Sequence, residues 1–133
     1  MKISQAEEPR GLQKKSFSMY FGGGEIWFEH LDSLGARTDL ALAKLEADSC
    51  LFLRPSAPSL IAVNLDETRV TAALISALQS QLMQGGKRFT RVVLVGTDPV
   101  ARIRLRHSLT GAPFVLGFIN DFERAKEWLV HEN

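Results

Sequence analysis

Arg91-Val-Val-Leu-Val-Gly96, running straight into Thr97-Asp98-Pro99, is the stretch on which the fold turns. Its apolar run has the length of a strand and no polar interruption, the pattern of a strand covered on both faces. Asp98 then supplies a side-chain acceptor for the free amides of a helix start, and Pro99 fits the first turn, where no amide hydrogen is needed. The unit occurs twice more: Phe114-Val-Leu-Gly-Phe-Ile119 leads into Asn120-Asp121-Phe122-Glu123, and Leu60-Ile-Ala-Val-Asn-Leu65 into Asp66-Glu67-Thr68. Strand–cap–helix repetition predicts a parallel sheet covered by helices. It also predicts that a site lies beyond the carboxyl ends of the strands, where open parallel sheets bind ligands.

Upstream, Phe17, Met19 and Phe21 alternate with Ser18 and Tyr20, the period of a strand. Gly22-Gly23-Gly24 tolerates positive φ, and Glu25-Ile-Trp-Phe-Glu-His30 reads as the return strand of a β-hairpin. A glycine-rich phosphate loop does not fit, because no Lys-Ser or Lys-Thr follows and the next segment is strand-like. Thr38 and Asp39 are placed to cap a helix through Asp48, whose end is left open by the apolar Cys50-Leu-Phe-Leu53 before Pro55 and Pro58 close it. Val70, Ala73, Leu74, Ala77, Leu78 and Leu82 fall on one helical face that Gly85-Gly86 terminate. The last helix groups Phe122, Ala125 and Leu129, with Asn120 and Glu123 at capping-box spacing. The order is β-β-α-β-α-β-α-β-α: an α/β fold with an N-terminal hairpin and a four- to five-stranded mixed sheet. Residues 16–133 form one domain, and the polar, unpatterned residues 1–15 read as a flexible tail.

With 133 residues, 45% hydrophobic and 23% charged, the composition is that of an ordinary globular domain. A formal net charge of +1 argues against a nucleic-acid partner. No apolar run approaches a membrane span, and no secretory leader is visible. The single cysteine, Cys50, has no disulfide partner, which fits a cytoplasmic location, and its apolar neighbours predict a buried, inert thiol.

Tests for chemistry give no enzyme. Asn64-Leu-Asp-Glu-Thr68 resembles the phosphatase motif Asp-x-Asp-x-Thr, but an amide stands where that motif needs its nucleophilic, magnesium-binding carboxylate. His30, His107 and His131 are far apart in sequence and have no ligand spacing, so neither a metal nor another cofactor is expected. Arg102 and Arg106 share a helical face and are candidates for an anion or acidic partner, whereas Arg104 points elsewhere. Trp27 and Trp128 read as packing residues. Asp66, Glu67, Thr68, Thr97, Asp98, Asn120 and Asp121 collect at one sheet edge, and helix capping accounts for Asp98 and Asn120. No catalytic residue is assigned. An acidic, hydroxyl-bearing rim without a base–nucleophile pair suggests an interaction surface.

The element order and two local motifs resemble the STAS-like small bacterial domains related to the anti-sigma-factor antagonist SpoIIAA. The motifs are Val95-Gly-Thr-Asp-Pro-Val100 and Asp121-Phe-Glu-Arg-Ala-Lys-Glu-Trp-Leu129. The resemblance implies a non-enzymatic regulatory or protein-binding domain, with a kinase or anti-sigma-type regulator as the kind of partner. In its phosphoswitch members a hydroxyl after the central strand is phosphorylated; the corresponding candidates here are Thr68 and Thr71, although the family's Asp-Ser-Ser-Gly run is replaced by Asp66-Glu-Thr-Arg-Val-Thr71. Asp66, Thr68, Thr71, Thr97 and Asp98 are thus the partner-binding candidates, and Thr68 is also a candidate helix cap. A second branch of the resemblance implies a small apolar ligand in an internal pocket, lined in part by Leu51-Phe-Leu53. Further alternatives are a homodimer through the open edge of the hairpin and a small hydrolase using strand-end carboxylates.

Overall fold

The hairpin turn comes first: Gly22 and Gly23 take φ of 56° and 91°, which a side chain would resist. This lets β1 (Phe17–Phe21) fold back on β2 (Gly24–His30) with Phe17 opposite Phe28. The computed structural model describes residues 14–131, so most of the expected tail over residues 1–15 lies outside the described residues. After the hairpin come α1 (Thr38–Phe52), β3 (Leu60–Asn64), α2 (Ala72–Gly85), a 3-10 turn at Gly86–Arg88, β4 (Arg91–Val95), α3 (Pro99–Ser108), β5 (Val115–Phe118) and α4 (Phe122–Val130). The five strands form one sheet in the order β1-β2-β3-β4-β5, antiparallel between β1 and β2 and parallel elsewhere. The α/β class, the order of elements and the mixed sheet are those read from the sequence.

The topology fixes which faces are covered. Each crossover advances one strand in the same direction, and right-handed crossovers then place every helix on the same side. Accordingly Leu45 of α1, Leu78 of α2 and Leu105 of α3 pack on Trp27, Ile61, Val63, Val92 and Leu94. Helix α4 follows the last strand and returns across the opposite face, setting Ala125 and Leu129 on Ile26, Phe28, Ala62 and Val93. Along the three-helix face an aromatic chain, Trp27–Phe52–Phe89–Phe114, runs with ring centroids 6.2, 6.4 and 6.2 Å apart. Phe52 and Phe89 are fully buried, each contributing about 2–3 kcal/mol of apolar transfer.

Element ends depart from the sequence reading for identifiable reasons. Helix α1 runs on to Phe52, because Ala41, Leu45, Ser49 and Phe52 continue one buried stripe. Its opposite face carries Cys50, which is exposed rather than buried. Neither Thr38 nor Asp39 caps α1; the cap position is Arg37, whose side chain does not cap the helix amides, and Asp39 accepts two guanidinium bonds from Arg37. Helix α2 starts later than the apolar spacing suggests. Thr71 caps it by accepting from the Leu74 amide at 3.3 Å, Val70 precedes it, Ala73 is exposed, and its buried stripe is Leu74, Ile75, Leu78 and Leu82. Asp98 and Pro99 start α3 as expected, with Asp98 Oδ1 accepting from Ala101 N at 2.8 Å. In α4 the cap is Asp121, not Asn120. Among the described residues no helix is long and apolar enough to cross a membrane.

Candidate functional site

The carboxyl edge of the sheet holds the polar residues singled out from the sequence, and most of them bond to neighbouring backbone. Thr68 is not a helix cap: its hydroxyl donates to Leu31 O at 2.5 Å and accepts from Leu34 N at 3.1 Å, tying the β3–α2 loop to the β2–α1 loop. Parallel bonds reinforce the seam, Ser33 N to Asp66 O at 2.7 Å and Gly35 N to Glu67 O at 3.0 Å. Asn64 Oδ1 accepts from Asp66 N at 3.0 Å, and Asn120 Oδ1 accepts from Gly96 N at 3.1 Å, joining the last two loops. Gly96 sits at φ 83°, and a Cβ there would fall 2.6 Å from Asp66 N, so only glycine lets these loops meet. Thr97 is buried, its Oγ1 without a hydrogen-bond partner, while Asp66 and Asp98 are exposed. Thr71 is half-buried, its Oγ1 3.3 Å from Thr38 Oγ1. The strand order never reverses, and reversal is what opens a crevice at this edge of a parallel sheet. The edge is therefore a stitched rim.

Two buried clusters of ionisable groups were not read from the sequence. At the end of β2, His30 Nδ1 lies 3.0 Å from Asp32 Oδ1, and Lys14 Nζ lies 3.3 Å from Asp32 Oδ2. Burial alone would raise Asp32, but the hydrogen bond from His30 and the charges around it hold its carboxyl below the usual range. Phe17 and Phe122 lie against the His30 ring, with centroids 5.8 and 6.0 Å away. On the other face, Glu29 is fully buried beneath α1, with Oε1 accepting from Trp27 Nε1 at 2.9 Å. Glu29 Oε2 finds no N–H or hydroxyl donor, and its hydrogen-bonding neighbour is the Asp48 carboxyl. Burial, then Asp48, pushes Glu29 from 4.5 up to about 9, so it is a neutral acid that donates its proton to Asp48. Burial would raise Asp48 as well, but bonds from Glu29, Lys44 and Ser16 hold it low. Lys44 Nζ completes the cluster at 2.9 Å from Asp48 Oδ2 and 2.7 Å from Ser16 Oγ. His-x-Asp at a strand end is the sequence trace of the first cluster. The second has none, since it depends on α1 lying over β2.

Between α2 and α3 lies a groove of about 460 Å³ with apolar side chains in its lining. Ile75 forms its base, Ala72 and Ser76 one wall, and Ile103, Arg104 and His107 the other. Gln79 Nε2 donates to Ser108 O at 3.1 Å and links the two helices. Ile103 and Val100 are each 66% exposed. Arg102 and Arg106 do share a face, but it looks away from the groove: Arg106 lies over the Phe118 ring of β5 at 4.8 Å, and Arg102 is half-buried. Arg104 is the arginine that lines the groove.

The sequence does carry a signal for this surface, hidden by the net charge. Residues 68–120 contain seven Lys and Arg and a single acid, Asp98, whose carboxylate caps α3. Helix α2 has no charged residue at all, and every charge on α3 is positive.

The remaining sequence candidates fall elsewhere. Trp27 is core, and Trp128 packs over Gly117 and under the Arg91 guanidinium, 4.3 Å from the ring. Leu51-Phe-Leu53 does not line a cavity as one unit, because Phe52 is in the core and Leu51 is exposed. Among the described residues, strand β1 is an edge of the sheet, with Phe17, Met19 and Tyr20 exposed. Among the described residues no three His, Cys, Asp or Glu side chains are grouped to hold a metal ion. No family model matches the chain, and no curated protein or solved structure does either.

Proposed function

We propose that the chain is a STAS-like, non-enzymatic domain that works by binding another protein, and that the α2–α3 groove is its contact surface. The observation that carries this reading is the exposure of Ile103 and Val100 beside a helix without charges. An isoleucine two-thirds exposed contributes little to folding at that place, and exposed apolar surface framed by polar groups is a common mark of a docking site. The element order and the two motifs shared with STAS-like domains support the same class. The strand-end residues support it in a secondary way: Thr68 holds two loops together, while Thr71 caps α2 directly beside Ala72 of the groove. Of the two hydroxyls, Thr71 is the one whose modification would reach a partner seated there.

The test is comparative. Wild-type protein and Ile103→Glu, each tagged, are expressed in the native cells and their bound proteins quantified. A partner enriched by the wild type and lost from the variant supports the reading. Indistinguishable sets, or turnover in a hydrolase and phosphatase screen, would defeat it.

A further inference from the structure

We infer that the occupant of the α2–α3 groove is an acidic amphipathic helix of the partner, with apolar side chains on Ile75 and Ile103 and carboxylates facing Arg104 and His107. This rests on the protein-binding reading above and adds the chemistry of the partner. Val100, Ile103, Arg104 and His107 stand at i, i+3, i+4 and i+7 on α3, so one helical face presents aliphatic groups with the Arg104 guanidinium and the His107 imidazole beside them. The facing wall of α2 offers Ala72 and Ser76, small and uncharged, which permits close approach and repels neither sign of charge. Selectivity then comes from α3, which attracts carboxylates and repels a basic segment.

The same features disfavour other occupants. A nucleic acid needs cations along its phosphate track, and one wall of this groove has none. A second copy would have to supply an acidic helix with a free apolar face. Helix α1, with three acids to one lysine, already buries its apolar face, since Ala41, Leu45 and Phe52 face the core. Helix α4 balances Glu123 and Glu127 with Arg124 and Lys126 and likewise buries Ala125 and Leu129. A groove between two helices with apolar anchors at its base matches the helix-in-groove mode of recognition.

A displayed library of helical peptides, with acidic, basic, polar and apolar residues randomised at every position, is selected on the wild-type protein and counter-selected on Ile103→Glu. The selected peptides are expected to be acidic, with apolar residues at i, i+3 or i+4, and i+7. A synthetic peptide from the selection should lose about ten-fold or more in affinity to Ile103→Glu and to Arg104→Glu, a hot-spot-sized effect. Arg104→Lys should restore most of the affinity, and added salt should weaken binding. Both sites are exposed, and thermal unfolding of each variant checks that folding is intact. Neutral or basic winners, or acidic winners indifferent to both substitutions, overturn the inference. So would Ile103-dependent binding to phosphatidylcholine–phosphatidylglycerol vesicles or to duplex DNA without peptide binding, or a dimer that Ile103→Glu dissolves. If a cellular partner depends on Ile103 while no acidic helix binds, the partner chemistry is wrong and the protein-binding reading stands.

Discussion

Helices α1 and α2 lie side by side on one face of one sheet, 15 and 14 residues long, and only α1 carries charge. The inner side of α1 brings Lys44 and Asp48 down onto Glu29 and Ser16, while its outer side carries Asp39 and Glu46. The inner side of α2 is Leu74, Ile75, Leu78 and Leu82, and its outer side is alanine, serine and glutamine. One helix is held partly by a proton-sharing acid pair and a lysine. The other packs inward through apolar side chains with no ionisable group among them, and its outer face is kept clear of charge. Sheet coverage needs only the inner apolar stripe, so both the buried charges of α1 and the bare surface of α2 call for a separate explanation.

The comparison breaks most visibly at its apolar end. Leu78 is completely buried between the sheet and the neighbouring helices. Leu78→Ala should therefore lower stability by about 3–4 kcal/mol, the range for a leucine truncation in a packed core. The loss should be nearly the same from pH 5 to pH 9, because no titrating group touches the mechanism. Urea unfolding at several pH values measures both. A loss below 1 kcal/mol, or one that changes strongly with pH, would show that α2 is not anchored in this way.

At the polar end the expected sign is reversed. The folded protein keeps a proton on Glu29 up to about pH 9, whereas the unfolded chain releases it near 4.5. Folding then takes up a proton between those values, so the stability that Glu29 allows is fully present below about pH 4.5 and is lost as pH rises toward 9. Glu29→Gln removes that linkage while keeping an acceptor for Trp27 and a donor for Asp48. It should be more stable than wild type at pH 7 by up to about 3 kcal/mol, from 1.36 kcal/mol per pH unit. Its advantage should grow with pH and vanish toward pH 4. A difference that stays flat across this range would mean that Glu29 is ionised in the fold. Asp48 runs the other way: its lowered carboxyl stabilises the fold above its ordinary pKa and ceases to do so as acid protonates it.

These two clusters also explain what could be read from the chain. The sheet was legible because parallel strands are covered on both faces and therefore appear as bare apolar runs, Val92 to Val95 above all. The α3 start was legible because Asp98 and Pro99 are local signals. Thr68 and Asn120 misled because a hydroxyl or amide just ahead of a helix can bond across to another loop as readily as to its own helix. In each case the cap was a residue further along, Thr71 and Asp121. Glu29 was illegible, since alternation in β2 gives it the same place as any outward polar residue until α1 covers it. The groove was half legible. The scarcity of acids over residues 68–120 is plain in the chain, but the convergence of Ile75 and Ile103 requires two helices to pack.

The smallest expected effect on folding separates structure from function on α2. If its uncharged outer face served the fold, a cation there would destabilise it. Ser76 is exposed and lines the groove without bonding across it. Ser76→Lys should thus leave stability within about 0.5 kcal/mol of wild type, the usual range for a surface change away from packing. It should nonetheless disturb partner binding, because a long side chain would lie over Ile75 and fill the space an incoming helix needs. Unfolding and binding measured on the same variant decide the matter. Unchanged stability with lost binding assigns the bare face of α2 to recognition. Lost stability would assign it to the fold, and Ile103 would then have to carry the surface alone.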